Sequence, residues 1–411
     1  MNARNSGERH GVVVVGGGFA GLWAALAAAR ERDAAGVAAE ALPITLIDRD
    51  GWHNIRVRNY EQDLSDVRLP LAEILRPAEI GLVVGEASGI DVAGRRVRLD
   101  GPEGARSVAY DRLILAAGSR MVRPPAAGAD GFDVDTWDAA AALNAHVATL
   151  GEAPACAARD TVLVVGGGLT GIEAAAEMPE KLRAGGIPQG RVVLADAAPR
   201  IGATMGEEGA DVIARALAEL GIETRAGVRV AAVECDGVVF EGGQRLATRT
   251  VVWCTGMRAS PLALLLPVQR DRLDRVPVDR FLRVSGLDGI FAAGDVAAAL
   301  IDGEHPSVMS CQHSRPMGRF AGHNAAADLL GRPPLALDIA WYVTCLDLGR
   351  WGALYTEGWE RRVASTGAEA KVTKQTINRL RIYPPRPYER RALLDAAAPV
   401  VQAAPRKPAP A

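Results

Sequence analysis

Val12-Val13-Val14-Val15-Gly16-Gly17-Gly18-Phe19-Ala20-Gly21-Leu22 is the stretch whose reading decides the fold. Four β-branched residues in a row predict a buried parallel strand. A Gly-x-Gly-x-x-Gly turn follows, then an alanine-rich helix from about Leu22 to Arg30. Gly16 permits the tight turn, Gly18 lets a pyrophosphate approach the backbone, and Gly21 lets helix and strand pack closely. The helix start offers unpaired N–H groups and a partial positive charge to phosphates, which makes Phe19 and Ala20 candidate contacts too. The next strand, Ile44-Thr45-Leu46-Ile47, ends in Asp48, placed to accept from a ribose. Residues 31–43 read as an inserted loop that lengthens the spacing to Asp48.

The device recurs. Thr161-Val162-Leu163-Val164-Val165 leads into Gly166-Gly167-Gly168-Leu169-Thr170-Gly171 and a helix through Glu173, with Pro179 expected to end or kink it. The following strand ends in Asp196, an acid that favours the free 2'-hydroxyl of NADH, whereas NADPH would favour arginine there. Arg200, four residues on, softens that preference. Two such units in register predict an α/β chain with two Rossmann-like dinucleotide-binding domains. Candidate contacts at the second are Gly166, Gly168, Leu169, Thr170, Gly171 and Asp196.

A length of 411 residues predicts two or three domains. The net charge of −2 argues against nucleic acid as the main partner. Five scattered cysteines, with no Cys-x-x-Cys and no metal-type cluster, read as free thiols in a reducing compartment. The first ten residues are polar, unlike a signal peptide, and the apolar run from Val12 to Ala29 is better explained as the nucleotide turn than as a membrane span. A cytoplasmic location is expected.

The segment after Asp48 carries Trp52-His53-Asn54, near whatever ring the first nucleotide brings. Two readings of His53 stay open: contact or proton shuttling at that ring, and a histidine hydrogen-bonded within its loop. Residues 81–99 read as a β-meander. Buried strands ending in small residues recur at Leu115-Ala116-Ala117-Gly118, at Trp253-Cys254-Thr255-Gly256 and at Ala292-Ala293-Gly294-Asp295-Val296. Residues 119–160 form a connector, helices are expected over about 209–220 and 311–330, and a hairpin around Glu241-Gly242-Gly243.

These elements, in this order, resemble the two-dinucleotide-binding flavoproteins of the pyridine nucleotide-disulfide oxidoreductase superfamily. Among them the likeness is greatest to the type II NADH dehydrogenases. The resemblance covers about residues 11–330. It implies FAD on the first unit (Gly16, Gly18, Phe19, Ala20, Gly21, Asp48, Ala117, Gly118, Gly294, Asp295, Val296) with Asp295 gripping the ribityl chain. It implies NADH on an inserted second unit that includes Gly256. The domain order expected is 1–150 and 271–334 for FAD, 151–270 for NAD(P)H, 335–391 as a small C-terminal α+β region and 392–411 as a disordered tail. The helix start near Ser310-Cys311-Gln312 would stabilise charge on the pyrimidine side of a reduced flavin. Glu173 stands where relatives carry an acid near the nicotinamide. Its two readings are a group that orients the carboxamide or supplies a proton, and an acid complementing the helix dipole.

The chain departs from the family at two places. No cysteine precedes Cys156, so a thiol relay from the first unit is absent; a Cys156/Cys345 or Cys311/Cys345 pair has no support from spacing. The quinone-holding element Ala-Gln-x-Ala-x-Gln-Gln reads here Cys311-Gln312-His313-Ser314-Arg315-Pro316-Met317, which keeps only the first glutamine, Gln312. The expected reaction is hydride transfer from NADH to FAD and on to a quinone or similar small acceptor. The alternatives are a reductase of an acidic iron–sulfur carrier and an NADH-responsive flavin sensor. The C-terminal aromatic residues (Trp341, Tyr342, Trp351, Tyr355, Trp359) read as a homodimer interface, an acceptor-pocket wall or core packing around a hairpin at Gly349-Arg350. Nine basic residues from Arg361 to Arg391 read either as a solvated face or as a surface for an anionic bilayer or acidic carrier. On a helix over about 368–382, Ala370, Ile377 and Leu380 would share one side, with Lys371, Lys374 and Arg381 largely off it.

Overall fold

The computed structural model describes residues 10–100, 104–125 and 131–405. The first nine residues, Gly128 of the connector and the last six residues of the tail lie outside the described residues. Two five-stranded parallel sheets carry the molecule. In the first, Val12–Val15 lies between Arg112–Leu115 and Ile44–Asp48, with Ile290–Ala292 and Gly81–Val84 outermost. In the second, Thr161–Val165 lies between Thr250–Trp253 and Arg191–Asp196, with Phe132–Asp133 and Glu223–Ala226 outermost. Both inner glycine-unit strands are buried along their whole length, as all-parallel sheets require.

The Phe19–Ala34 helix leaves the first glycine turn and crosses the Cys311–Leu329 helix at very short range. A Cβ on Gly318 or Gly322 would stand 2.2 and 2.0 Å from the carbonyl oxygens of Ala20 and Ala24. The crossing therefore depends on having no side chain at either position, and it ties the chain's first helix to its late one.

Several expectations are corrected. Residues 81–84 are not part of a meander but the outer parallel strand of the first sheet; the antiparallel triplet is Glu86–Asp91, Arg96–Asp100 and Arg106–Ala109. The second unit's helix runs through Pro179 to Ala184, its last turn held by buried Met178, Lys181 and Leu182. The second sheet draws its outer strand, Phe132–Asp133, from the stretch that sequence left with the first unit.

The largest difference is C-terminal. The hairpin at Gly349-Arg350 is present, in the sheet Val343–Asp347, Ala353–Glu357, Arg362–Thr366. The helix that follows is α-helical only over Gly367–Thr376, then widens to a π-turn over Ile377–Arg381. That widening rotates Leu380 outward to 72% exposure, while Ala370 and Lys374 are buried together. Part of the basic segment is paired, Lys371 with Asp347, Lys374 with Glu173 and Arg390 with Asp33, while Arg362, Arg379, Arg386 and Arg391 stay exposed. Residues 392–405 are not loose but include part of the Arg390–Ala396 helix and a coil whose Pro405 carbonyl accepts from Tyr355 (2.7 Å). No described helix is long and apolar enough to cross a membrane.

Candidate functional site

Each glycine loop is held by the acid at the end of the neighbouring strand. Gly17 N–H donates to Asp48 Oδ2 at 2.7 Å, and Gly167 N–H donates to Asp196 in the same way. The first and third glycines of each unit make the tight turn and the close packing expected of them. Gly16 sits at φ +106° against the Ala116 carbonyl, and a Cβ on Gly21 would stand 1.7 Å from the Gly16 oxygen. A Cβ on Gly18 or Gly168 would meet nothing within 4 Å. That space lies at the start of a helix whose N–H groups are unpaired by any capping side chain, where a pyrophosphate fits. Gly118 and Gly256, at φ +67° and +62°, likewise border open space at the ends of their strands. Arg200 is paired to Asp211, which leaves Asp196 as the acid of the second unit.

Asp295 gathers partners from three segments. It accepts from Ser119 Oγ (2.6 Å) and Ser314 Oγ (3.1 Å), with Arg56 3.9 Å away. Gly294, at φ +78°, abuts Ala20, so this corner touches the first helix, and Val296 is buried behind it. Ser119, Ser314 and Arg56 were not legible as site residues; they come from three segments far apart in the chain.

His53 is fully buried, with Nδ1 2.8 Å from the Gly17 carbonyl, and its ring stands edge-on to Phe19. A carbonyl only accepts, so the proton is on Nδ1. Burial pushes its pKa down to about 4, and the neutral ring fastens the glycine loop. Gln312 lies in the first turn of the Cys311–Leu329 helix beside His313. His313 Nδ1 accepts from Val308 N–H at 2.9 Å, which puts its proton on Nε2; Gln312 Nε2 lies 3.5 Å away, and the amide accepts that proton only when turned to present Oε1.

Glu173 is buried, and its Oε1 accepts from Lys374 Nζ (2.6 Å) and from Asp347 N–H (3.0 Å). Burial lifts its carboxyl above the ordinary range against the pull of Lys374. Burial pushes Lys374 down, but the Glu173 charge overcomes it and holds the ammonium above its usual value. Beside this pair, Asp347 takes Lys371 at 2.5 Å and Tyr60 at 3.3 Å. Glu173 thus joins the nucleotide helix to the C-terminal sheet, an engagement no local pattern announces.

A second missed feature is a pocket beside the start of the Cys311–Leu329 helix. Cys311, Gln312, Arg315 and Arg319 form one wall; Trp341, Ile377, Arg381 and Ile382 form another, and Val401, Gln402 and Pro405 close it. Arg315 and Arg319 lie over the Trp23 ring, 5.0 and 4.4 Å from its centre. The sequence signal was present, two arginines four apart on a helix face that also carries Gln312. All five cysteines are free, and burial pushes the Cys254 and Cys345 thiols up to about 12, far from thiolate chemistry.

Residues 10–318 match the family model described as pyridine nucleotide-disulphide oxidoreductase. An NADH dehydrogenase-like protein of Mycobacterium tuberculosis is 55% identical over 400 residues, covering 96% of this chain and 99% of that one. The type II NADH:quinone oxidoreductase NdhA of the same species is 29% identical over 325 residues, covering 71% and 67%. Among solved structures, NDH2 of Plasmodium falciparum in complex with NADH superposes with a TM-score of 0.75 at 13% identity, over 95% of this chain and 97% of that one.

Proposed function

The chain belongs to the pyridine nucleotide-disulphide oxidoreductase family, and from that premise we propose that it oxidises NADH and delivers the electrons to a quinone-type acceptor in the Gln312 pocket. FAD and NADH are the cofactor and donor of this group, and both glycine loops have the open approach that a pyrophosphate needs. Gly16 to Gly21 and the first helix start would hold the FAD pyrophosphate, and Asp295 with Ser119 and Ser314 would hold the ribityl hydroxyls. Bound there, the flavin supplies two-electron chemistry between donor and acceptor. The positive end of the Cys311–Leu329 helix favours negative charge beside it. On the donor side Asp196 favours a free ribose hydroxyl, hence NADH over NADPH, with Arg200 already paired. The net reaction is NADH + H⁺ + quinone → NAD⁺ + quinol.

The observation that carries this reading is the pocket itself. It adjoins the helix start through Gln312 and is walled by Trp341, Ile377 and Ile382, a polar group facing apolar planes, as a quinone ring requires. Purified protein is expected to carry FAD, to bleach anaerobically with NADH faster than with NADPH, and to regain colour on addition of a quinone. Bleaching followed by reoxidation only by an iron–sulfur protein would replace the acceptor; no bleaching would end the reading.

A further inference from the structure

Arg315 and Arg319 are 6% and 1% exposed. Among the described residues neither has a carboxylate within ion-pair distance; Arg319, Cys311 and Arg381 act on the charge of Arg315, and Arg381 on that of Arg319. Arg315 Nε, Arg319 Nε and Arg319 Nη2 are buried and without hydrogen-bond partners. Burying a guanidinium unpaired is unfavourable even when it rests on an aromatic face. Burial first, then the neighbouring cations, pull Arg315 down to about 9 and Arg319 to about 10. Three cations converging on one pocket are stable together when an anion joins them.

The place of that anion is now held by neutral oxygens of the tail. Arg315 Nη1 donates to Gln402 Oε1 at 3.5 Å, and Arg381 donates to the Ala403 carbonyl. With the tail in place the free cavity is about 70 Å³, small beside the roughly 300–1,000 Å³ that ligand pockets offer. A ligand that enters must displace residues 401–405.

We propose that the electron acceptor of this protein is anionic, a quinone whose ring lies against Trp341 and Ile382 and whose carboxylate or sulfonate is held by Arg315, Arg319 and Arg381. This rests on the reading of the pocket as the acceptor site. A lipid quinone with no charge leaves the three arginines unpaired; an acidic substituent answers all three.

The test uses the FAD-loaded full chain with two naphthoquinones, menadione and 1,4-naphthoquinone-2-sulfonate, and the variants R315M, R319M and R381M. In each variant kcat/KM for the sulfonate is expected to fall at least tenfold and the ratio of kcat/KM for the sulfonate to that for menadione at least threefold, with FAD content and the rate of bleaching by NADH unchanged. Direct binding is read with 2-naphthoate, which cannot be reduced: it should quench tryptophan fluorescence in the wild type and bind at least tenfold more weakly to R381M, the least buried site. Equal losses for both quinones, or loss of FAD from the arginine variants, would overturn the inference. So would 2-naphthoate that binds wild type and R381M alike or not at all. If bleaching occurs and menadione is reduced while the sulfonate shows no dependence on the arginines, the proposed function stands and only the anionic acceptor is lost. Absence of bleaching would overturn the function, while 2-naphthoate binding still decides the anion site.

Discussion

Glu173 and Lys374 stand 201 positions apart and meet at 2.6 Å inside the protein. Removing only the lysine leaves a buried carboxylate without its partner, which costs on the order of 3–5 kcal/mol. K374M is therefore expected to lower the urea midpoint far more than E173Q/K374M, in which the charge is gone from both sides. Equal losses in the two variants would show that the pair is not coupled. The glycines of the first loop make a second contrast at this scale. Gly21→Ala drives a Cβ into the Gly16 carbonyl, so it should destabilise the protein with or without FAD. Gly18→Ala meets no protein atom and keeps an ordinary backbone, φ −70°. It should leave the apoprotein's melting point unchanged and weaken FAD binding at least tenfold, measured by titrating apoprotein with FAD. These glycines were readable in sequence because the demands of a phosphate are local, made within six residues. Glu173 was readable as an important acid, yet its partner was not, since nothing in the α-helical spacing of either residue points across the chain.

Among elements, the segment after Ala396 shows how composition misleads. Alanine and proline without periodicity predict a loose tail, but its carbonyls at Ala403 and Pro405 are accepted partners of Arg381 and Tyr355. What holds it is the hydrogen-bonding deficit of the surface beneath, which composition of the tail alone does not reveal. Each such bond contributes about 1 kcal/mol, a level at which a bound segment still opens readily. A chain ending at Pro399 is accordingly expected to show a several-fold higher kcat/KM for acceptor, with unchanged bleaching by NADH in stopped flow. A truncated protein slower in both steps would mean that the segment supports the fold rather than covering the pocket. The π-turn at Ile377–Arg381 was unreadable for a related reason. A 3.6-residue pattern assigns Ile377 and Leu380 to one face, and one widened turn is enough to send Leu380 to solvent.

Across the whole molecule, two copies of one parallel-sheet unit place their glycine loops at the carboxyl ends of their strands, the end where such sheets bind ligands. That duplication was legible because strand, glycine turn, helix and terminal acid recur in order; the edge strand Phe132–Asp133 was not, being two residues long and without a pattern. The first unit and the Cys311–Leu329 helix that completes it are each fastened by a buried neutral histidine, His53 at the Gly17 carbonyl and His313 at the Val308 N–H. Burial pushes both down to about 4, whereas an unfolded chain takes up the proton near 6.5. Between those values the unfolded state binds more protons, so stability rises with pH there and is lost as pH falls from about 6.5 to about 4. At pH 5 the loss is on the order of 2 kcal/mol for each histidine. Glutamine at position 53 keeps a donor for Gly17 and does not titrate. The difference in urea midpoint between pH 7.5 and pH 5 should therefore be smaller in H53Q than in wild type, by an amount matching about half of the two-histidine effect. An unchanged difference would mean that the acid sensitivity of the protein lies elsewhere, in its paired carboxylates.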